Sequence, residues 1–294
     1  MSVSDFLKRG AQTQLREFFV AGGAVCELRT NSESILGAAR ETFPGIQHSE
    51  PHAEFHLRFW MDSHSGCKAP WPKPYVRGLG QLVFAGFDAG SSALFNLRSR
   101  RAIGRFSTPM AEDRPYWKEV ILPMVLSILS GAVGIAEVHC ACVAKNQNGL
   151  LLVGASRSGK STLSLALSQT GFAFLCDDRT YCSLRAGKLA AWGMPVALKL
   201  RRESAVWFPQ LQDRKPEETS RGEQVLRCEP NQDLRFIRAQ SCEPRMAIFL
   251  EQEHGAGFQL RPMSRTAAAS RFAADLMMEL PEVMEAQAVT VNRL

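Results

Sequence analysis

Several features are scarce in this sequence, and each scarcity removes a class of protein. Eight cysteines in 294 residues are too dilute for a disulfide scaffold, and no secretory leader precedes the first polar helix signal near Asp5. A reducing, cytoplasmic setting is expected. Cys140 and Cys142 form a C-x-C pair and Cys176 adjoins two aspartates, but no second close pair completes a zinc site. Buried thiols acting as small hydrophobes account for them better. Long apolar runs are also lacking. Val120 to Ala136 is uncharged, yet it holds Pro123 and two glycines and falls short of a comfortable membrane span, so no membrane insertion is expected. There is no recognition-helix pattern, finger spacing or aromatic ribonucleoprotein motif, so nucleic acid is not the expected partner.

What is present is a chain with 45% hydrophobic residues and a net charge of +6, enough apolar content for one large core or two smaller ones. Positive charge gathers at Arg98, Arg100, Arg101 and Arg105, and again at Lys199, Arg201 and Arg202. Such clusters could attract phosphate or acidic groups, although most charge runs of this length are only solvated surface.

Asp5 to Phe19 reads as a short helix before the Gly22-Gly23 break, and Ser32 to Thr42 as a second helix stopped by Pro44-Gly45. Phe55, Leu57, Phe59 and Met61 alternate with polar neighbours, the period of a half-buried strand. Leu82–Phe87, Ala93–Leu97 and Ala102–Phe106 predict an antiparallel meander. Glu112 to Leu129 predicts a helix that Pro123 should kink or divide. A boundary near residue 110 follows, with regions 1–110 and 111–294. His48, His52, His56 and His64 invite a metal reading. On an extended segment, however, His52 and His56 stand ~13 Å apart, too far to share an ion.

The chemistry concentrates further on. Leu150–Val153 is a short strand of buried type. Gly154, Ala155, Ser156, Arg157, Ser158, Gly159, Lys160, Ser161 and Thr162 follow, matching the Walker A pattern G-x-x-x-x-G-K-S, and a helix starts at Ser161. The glycines permit close backbone approach, successive N–H groups point inward and the helix adds its positive end, so the segment suits a nucleotide's phosphates. Lys160 would neutralise the β and γ phosphates, and Ser161 would reach Mg2+. One helix later, Gly171 to Cys176 reads as an interior parallel strand ending in Asp177 and Asp178. One carboxylate would hold the metal and the other would deprotonate an acceptor hydroxyl; alone, the pair could equally cap a turn. His139, in the strand-like Val138–Val143, is either a hydrogen-bonded core histidine or a group polarising phosphate.

On His139, Gly154 to Ser161, and Asp177-Asp178, the chain resembles the bacterial HPr serine kinase/phosphorylase family, as a divergent kinase-like relative. The resemblance covers roughly 135 to 200. It implies an α/β fold whose P-loop nucleotide-binding core lies on a mixed sheet; the smaller α+β segment that precedes it, holding the meander, is read from the residues and does not look like the family's N-terminal domain. The resemblance also implies ATP and Mg2+, a histidine beside the phosphates, and an aspartate pair serving metal and acceptor serine. Typical members carry a glutamate in a glycine-rich segment after the aspartates. Here Ala191-Trp192-Gly193-Met194-Pro195 stands there, so the second acidic metal site is not evident unless Glu203 replaces it. The later glycine-rich segment tied to phosphorylase activity is absent too, which favours a dedicated kinase.

Arg202 and Arg261 are candidate contacts for phosphate or substrate. Gln210 to Gly222 is a candidate mobile cover, and a helix is expected after Arg265 through Leu280. The expected reaction moves the γ-phosphoryl group of ATP to a serine-like hydroxyl of a peptide, protein or small molecule, with Asp177 as base and Asp178 on the metal, roles that could be exchanged. A homo-oligomer is compatible with the sequence. Two other classes stay open: a nucleotide-dependent interaction switch with weak ATPase activity, and a carboxykinase-like enzyme acting on a small organic acid.

Overall fold

The computed structural model describes residues 3–4, 10–11, 13–46, 51–62, 67–185, 187–194, 197–218, 224–229, 233–252, 257–274, 276 and 280–294. They form an α/β fold with mixed sheets. Packing divides the chain into two compact units, Met1–Ile135 with Met277–Val289, and Ala136–Leu276 with Thr290–Leu294.

In the first unit, β1 (Val3–Ser4) and β2 (Gly10–Ala11) pair antiparallel. The helix expected over Asp5–Phe19 is not formed: residues 5–9 and 12 lie outside the described residues, and Leu15–Ala21 is a strand, β3, paired with β4 (Ala24–Thr30). The physical reason lies in Phe18, Phe19 and Val20, which favour a pleated surface, and in Gly22 and Gly23. Both glycines take positive φ (60° and 93°), as a tight hairpin turn demands. The helix expected from Ser32 is present as α1 (Glu33–Thr42), capped by the Ser32 hydroxyl accepting from Ile35 N–H at 3.3 Å. The strand β5 (Phe55–Asp62) buries Phe55, Leu57 and Phe59 in alternation, as its sequence predicts.

After β6 (Tyr75–Leu79), the meander follows as β7 (Leu82–Gly86), β8 (Ser92–Asn96) and β9 (Arg101–Ser107), each antiparallel to the last. Because β5 runs parallel to both β4 and β9, the seven-stranded sheet is mixed, in the order β3-β4-β5-β9-β8-β7-β6. Its core holds an aromatic triad: Phe59 lies 5.6 Å from Phe106, and Phe106 lies 4.6 Å from Trp117. Gly104 sits opposite Phe59. A Cβ there would come within 2.9 Å of both phenylalanine rings, so the triad requires glycine.

Two short helices, α2 (Thr108–Glu112) and α3 (Arg114–Tyr116), lead into a π-helical turn, Trp117–Ile121, and then α4 (Leu122–Ser130). Pro123 does not divide this run. In an α-helix its ring would press on the carbonyl four residues back. The wider π turn, closed by Leu122 N–H on Trp117 C=O, relieves that contact. The helical stretch Arg114–Val133 is therefore 20 residues long with mean hydropathy 1.3, enough by length and composition alone to cross a membrane, and 56% of its apolar window is buried in the fold. That length corrects the expectation that the run falls short. The whole run lies in the first unit, although the boundary expected near residue 110 assigned it to the second. The C-terminal helix Pro281–Val291 meets the same region, with Gln287 Nε2 donating to the Ile135 carbonyl at 3.3 Å.

The positive clusters seen in sequence are partly neutralised here. Arg98 pairs with Glu282 at 2.9 Å and Arg105 with Asp62 at 3.1 Å. Of the four histidines, His48 and His64 lie outside the described residues. His56 Nδ1 stands 2.6 Å from Glu27, and His52 lies in an irregular, exposed stretch.

The second unit starts with β10 (Ala136–Val138), β11 (Cys140–Lys145) and β12 (Asn148–Gly154), followed by α5 (Lys160–Gln169), β13 (Ala173–Cys176), β14 (Thr180–Arg185) and β15 (Lys188–Gly193). A small sheet comprises β16 (Leu198–Arg201), β17 (Glu217–Glu218) and β18 (Gln224–Cys228). Then come β19 (Ser241–Leu250) and α6 (Arg265–Ala273). The main sheet has the order β10-β14-β15-β19-β12-β11-β13. Its β12–β19 pair is parallel, while β11 is antiparallel to both β12 and β13. The strand ending in Asp177-Asp178 is thus an edge strand with an antiparallel neighbour, not an interior parallel one. Its apolar character has another cause. Phe174 is buried in the cluster with Val143, Leu165, Leu198 and Phe208, and the free edge is closed by backbone bonds between Phe174 and residues Ile237 and Ala239.

Candidate functional site

Strand directions bring separated parts of the sequence to one end of the second unit's sheet. Cys140 pairs with Val153, so His139, one residue earlier, arrives beside Gly154. On the other side of β11, Cys176 pairs with Cys142, so Asp177 and Asp178 leave β13 toward that same end. The chain then turns back, and Thr180 pairs with Val138. The Thr180 hydroxyl secures the turn, donating to the Cys140 carbonyl at 3.1 Å while lying 3.1 Å from Cys176 Sγ. His139 occupies the break between β10 and β11, which leaves its ring half exposed.

Between β12 and α5 the backbone bends sharply, with positive φ at Arg157 (73°) and Gly159 (97°). Gly159 is the N-cap of α5. Left-handed residues next to a helix start turn successive N–H groups toward one point, an arrangement suited to an anion. Gly154 is needed for a different reason: a Cβ there would lie 2.5 Å from Ser158 Oγ and 2.9 Å from the Leu250 carbonyl. The Ser158 hydroxyl is buried without a hydrogen-bond partner. Lys160 is 7% exposed, and its Nζ donates to the carbonyls of Gly154 and Ala155 at 2.7 and 3.1 Å. Ser161 continues α5, its carbonyl accepting from Ser164 Oγ at 2.9 Å. Thr162 Oγ1 donates to Ser204 Oγ at 3.1 Å, and Ala155 and Ser156 lie exposed in the loop.

The two aspartates differ in their surroundings. Asp177 has its pKa raised to about 6: burial disfavours its charge most, the Asp178 carboxylate adds to this, and the N–H and ammonium of Lys199 offset part of it. Asp178 is pushed the other way. Its hydrogen bond with His139 is the largest cause, and the charges of His139, Arg179 and Lys160 reinforce it against burial. His139 Nε2 stands 3.1 Å from Asp178 Oδ1, and Arg179 Nε 3.8 Å from Oδ2. Neighbouring carboxylates whose environments drive their pKa values apart are suited to separate roles.

Among the described residues, no group of three or more His, Cys, Asp or Glu side chains could by itself hold a metal ion. Mg2+ in phosphoryl-transfer sites commonly uses one or two carboxylates, a hydroxyl and the substrate's own phosphates. Asp178, Asp177 and Ser161 match that donor chemistry. Arg202 opens an exposed 3-10 helix, Arg202–Trp207, which also carries Glu203 exposed to solvent. Arg261 is engaged by Gln259 Oε1, with Nε at 3.2 Å and a second nitrogen at 2.5 Å. Of the candidate cover Gln210–Gly222, residues 219–222 lie outside the described residues; Pro209–Leu211 forms a short 3-10 turn.

Lys199, read from sequence only as part of a positive cluster, lies against Asp177. Two further neighbours were not singled out from sequence. Leu250 pairs with Gly154, so Glu251 follows at the loop's flank, where it bonds Arg271 at 2.7 Å. Ser204 contacts Thr162. Only the acidic residue closing the apolar strand Met246–Leu250 leaves a visible signal in sequence.

No protein-family profile matches this chain, and no curated protein matches it in sequence. Among solved structures there is a weak, partial match to the HPr(Ser) kinase/phosphatase from Coxiella burnetii, with 19% identity and a TM-score of 0.27. It covers 43% of this chain and 66% of that one, so the chain spans just under two thirds of that protein's length.

Proposed function

We propose that the protein is a kinase that transfers the γ-phosphoryl group of ATP to a hydroxyl of a peptide, protein or small molecule. The proposal is carried by one observation: Asp178 is held ionised chiefly by His139, 3.1 Å away, with smaller contributions from Arg179 and then Lys160, so loop and carboxylates act within one electrostatic neighbourhood. The backbone N–H groups of Gly154 to Thr162 bind the phosphates. Lys160 exchanges its two carbonyl partners for phosphate oxygens, and His139 lies beside the transferred group. Asp178 and Ser161 would hold Mg2+, which would supply charge neutralisation to the phosphates.

Asp177 is the base. In the transfer, the acceptor oxygen forms a bond to the γ phosphorus and the bond from that phosphorus to the β–γ bridging oxygen breaks. The acceptor proton passes to Asp177, and ADP leaves. A carboxylate with a pKa near 6 is ionised at neutral pH yet basic enough to take part in that proton transfer. Positioning and charge stabilisation supply most of the rate enhancement in such reactions.

The test is incubation of the purified full chain with γ-labelled ATP, Mg2+ and a library of serine-bearing peptides and small alcohols, read by mass spectrometry. A phosphorylated product that disappears in Asp177→Asn and Lys160→Ala supports the kinase. Release of free phosphate alone across the library indicates the interaction switch, and phosphorylation of an organic acid the carboxykinase-like reaction.

A further inference from the structure

Trp207 is 70% exposed and its neighbour Val206 64%, whereas Ala205 is 5% and Phe208 0% exposed. A large aromatic group left in water beside a firmly buried anchor is the informative kind of surface residue. The anchor is substantial, since Ala205 and Phe208 belong to the cluster that includes Leu165 of α5 and Leu198, Leu200 and Leu226 of the small sheet. Residues 202–207 form a 3-10 helix, in which side chains three apart eclipse one another. Trp207 therefore shares a face with Ser204, and Ser204 accepts the hydrogen bond from Thr162 on the first turn of α5. The step from Ser204 to Trp207 is about 6 Å along the 3-10 axis.

The register thus places Trp207 on the helix face that meets α5 at Thr162, whereas Lys160 and Asp178 mark the end where the γ phosphate belongs. A nucleoside triphosphate with its phosphates along the loop carries its ribose and base away from that γ end. We propose that Trp207 is the stacking platform for the base of a purine nucleoside triphosphate, with Val206 extending the apolar surface. This inference rests on the phosphate-binding role of the loop and adds the base to it. A flat indole on a helix anchored by buried Ala205 and Phe208 gives stacking without strong preference among purines, because every purine presents a π face.

The experiment is calorimetric titration of the full chain with ATP and, separately, with inorganic tripolyphosphate, both with Mg2+, using wild type, Trp207→Ala, Trp207→Phe and Lys160→Ala. Trp207→Ala is expected to weaken ATP about tenfold while leaving tripolyphosphate within about twofold, and Trp207→Phe to recover most of the loss. ATP should also quench a component of tryptophan emission that Trp207→Phe lacks. Equal weakening of both ligands, no weakening of ATP, or a change confined to oligomeric mass overturns the platform while the phosphate site stands. If neither ligand binds wild type, or Lys160→Ala changes nothing, the phosphate-site role fails and the platform falls with it.

Discussion

His139 Nε2 lies 3.1 Å from Asp178 Oδ1 although the two residues are far apart in sequence, and this contact joins the break in the β10–β11 run to the turn after β13. Both side chains remain about half exposed, so the pair adds little to stability. Its consequence is electrostatic: it keeps Asp178 charged beside Lys160 and leaves Asp177 as the carboxylate that retains a proton more readily.

The first prediction concerns Asp177. Its folded pKa of about 6 lies above the ordinary aspartate value of 3.8, so the folded state binds more protons than the unfolded chain between those values. Stability on this account falls as pH rises through that window. Asp177→Asn should therefore stabilise the protein at pH 7, by about 1–2 kcal/mol after allowing for partial solvent screening, while removing transfer activity. In wild type, kcat/KM should decline about tenfold per pH unit below pH 6. Thermal melts and a pH–rate profile check both, and a destabilised but active variant would contradict the assignment.

The second concerns the loop. Gly154→Ala places a methyl group against Ser158 Oγ and the Leu250 carbonyl, and the backbone partner cannot rotate away. Phosphate affinity should fall at least about tenfold, with a stability loss of about 1–3 kcal/mol from overpacking. Ala155→Gly, at an exposed loop position, should be mild by comparison. Tripolyphosphate titration and urea melts of the two variants provide the comparison.

The third concerns Thr180, which is fully buried and hydrogen-bonded to the Cys140 carbonyl. Thr180→Val keeps the shape and removes the hydroxyl, leaving that carbonyl without its side-chain donor. A cost of about 1–2 kcal/mol is expected. Because the same turn carries Asp178, phosphoryl transfer should fall further than tripolyphosphate binding. Parallel measurement of the two would expose a purely structural role as equal losses.

The fourth lies in the first unit. Glu27 is almost fully buried in the sheet, with Arg16, Arg29 and His56 bonded to its carboxylate at 2.5, 2.8 and 2.6 Å. Burial opposes its charge, but those bonds prevail and lower the pKa from 4.5 to about 2. The resulting stability is present above pH 4.5 and is lost as pH falls through 2, following the sign for a depressed acid. Glu27→Gln should cost about 2–3 kcal/mol at pH 7. The gap from wild type should narrow progressively below pH 4.5 in denaturant titrations.

Local patterns in the sequence specified the pieces whose cause is local. Ser32 before an apolar periodic run gives a capped helix, alternating Phe55, Leu57 and Phe59 gives a half-buried strand, and the glycines of Gly154 to Thr162 give a sharp turn that leads into α5. The misreadings share a feature. Leu15–Ala21 depended on a partner strand beyond the Gly22-Gly23 turn, and Pro123 depended on the π turn preceding it.

Tertiary structure decided which of these pieces meet. His139, Lys160 and Asp178 converge because β11 runs antiparallel between β12 and β13, and strand direction is set by nonlocal pairing that no residue spacing records. The unequal pKa values of adjacent Asp177 and Asp178 arise in the same way, from burial raising the first and from the His139 hydrogen bond, with the charges of Arg179 and Lys160, lowering the second. Composition supplied the charges, and the fold determined which of them face each other.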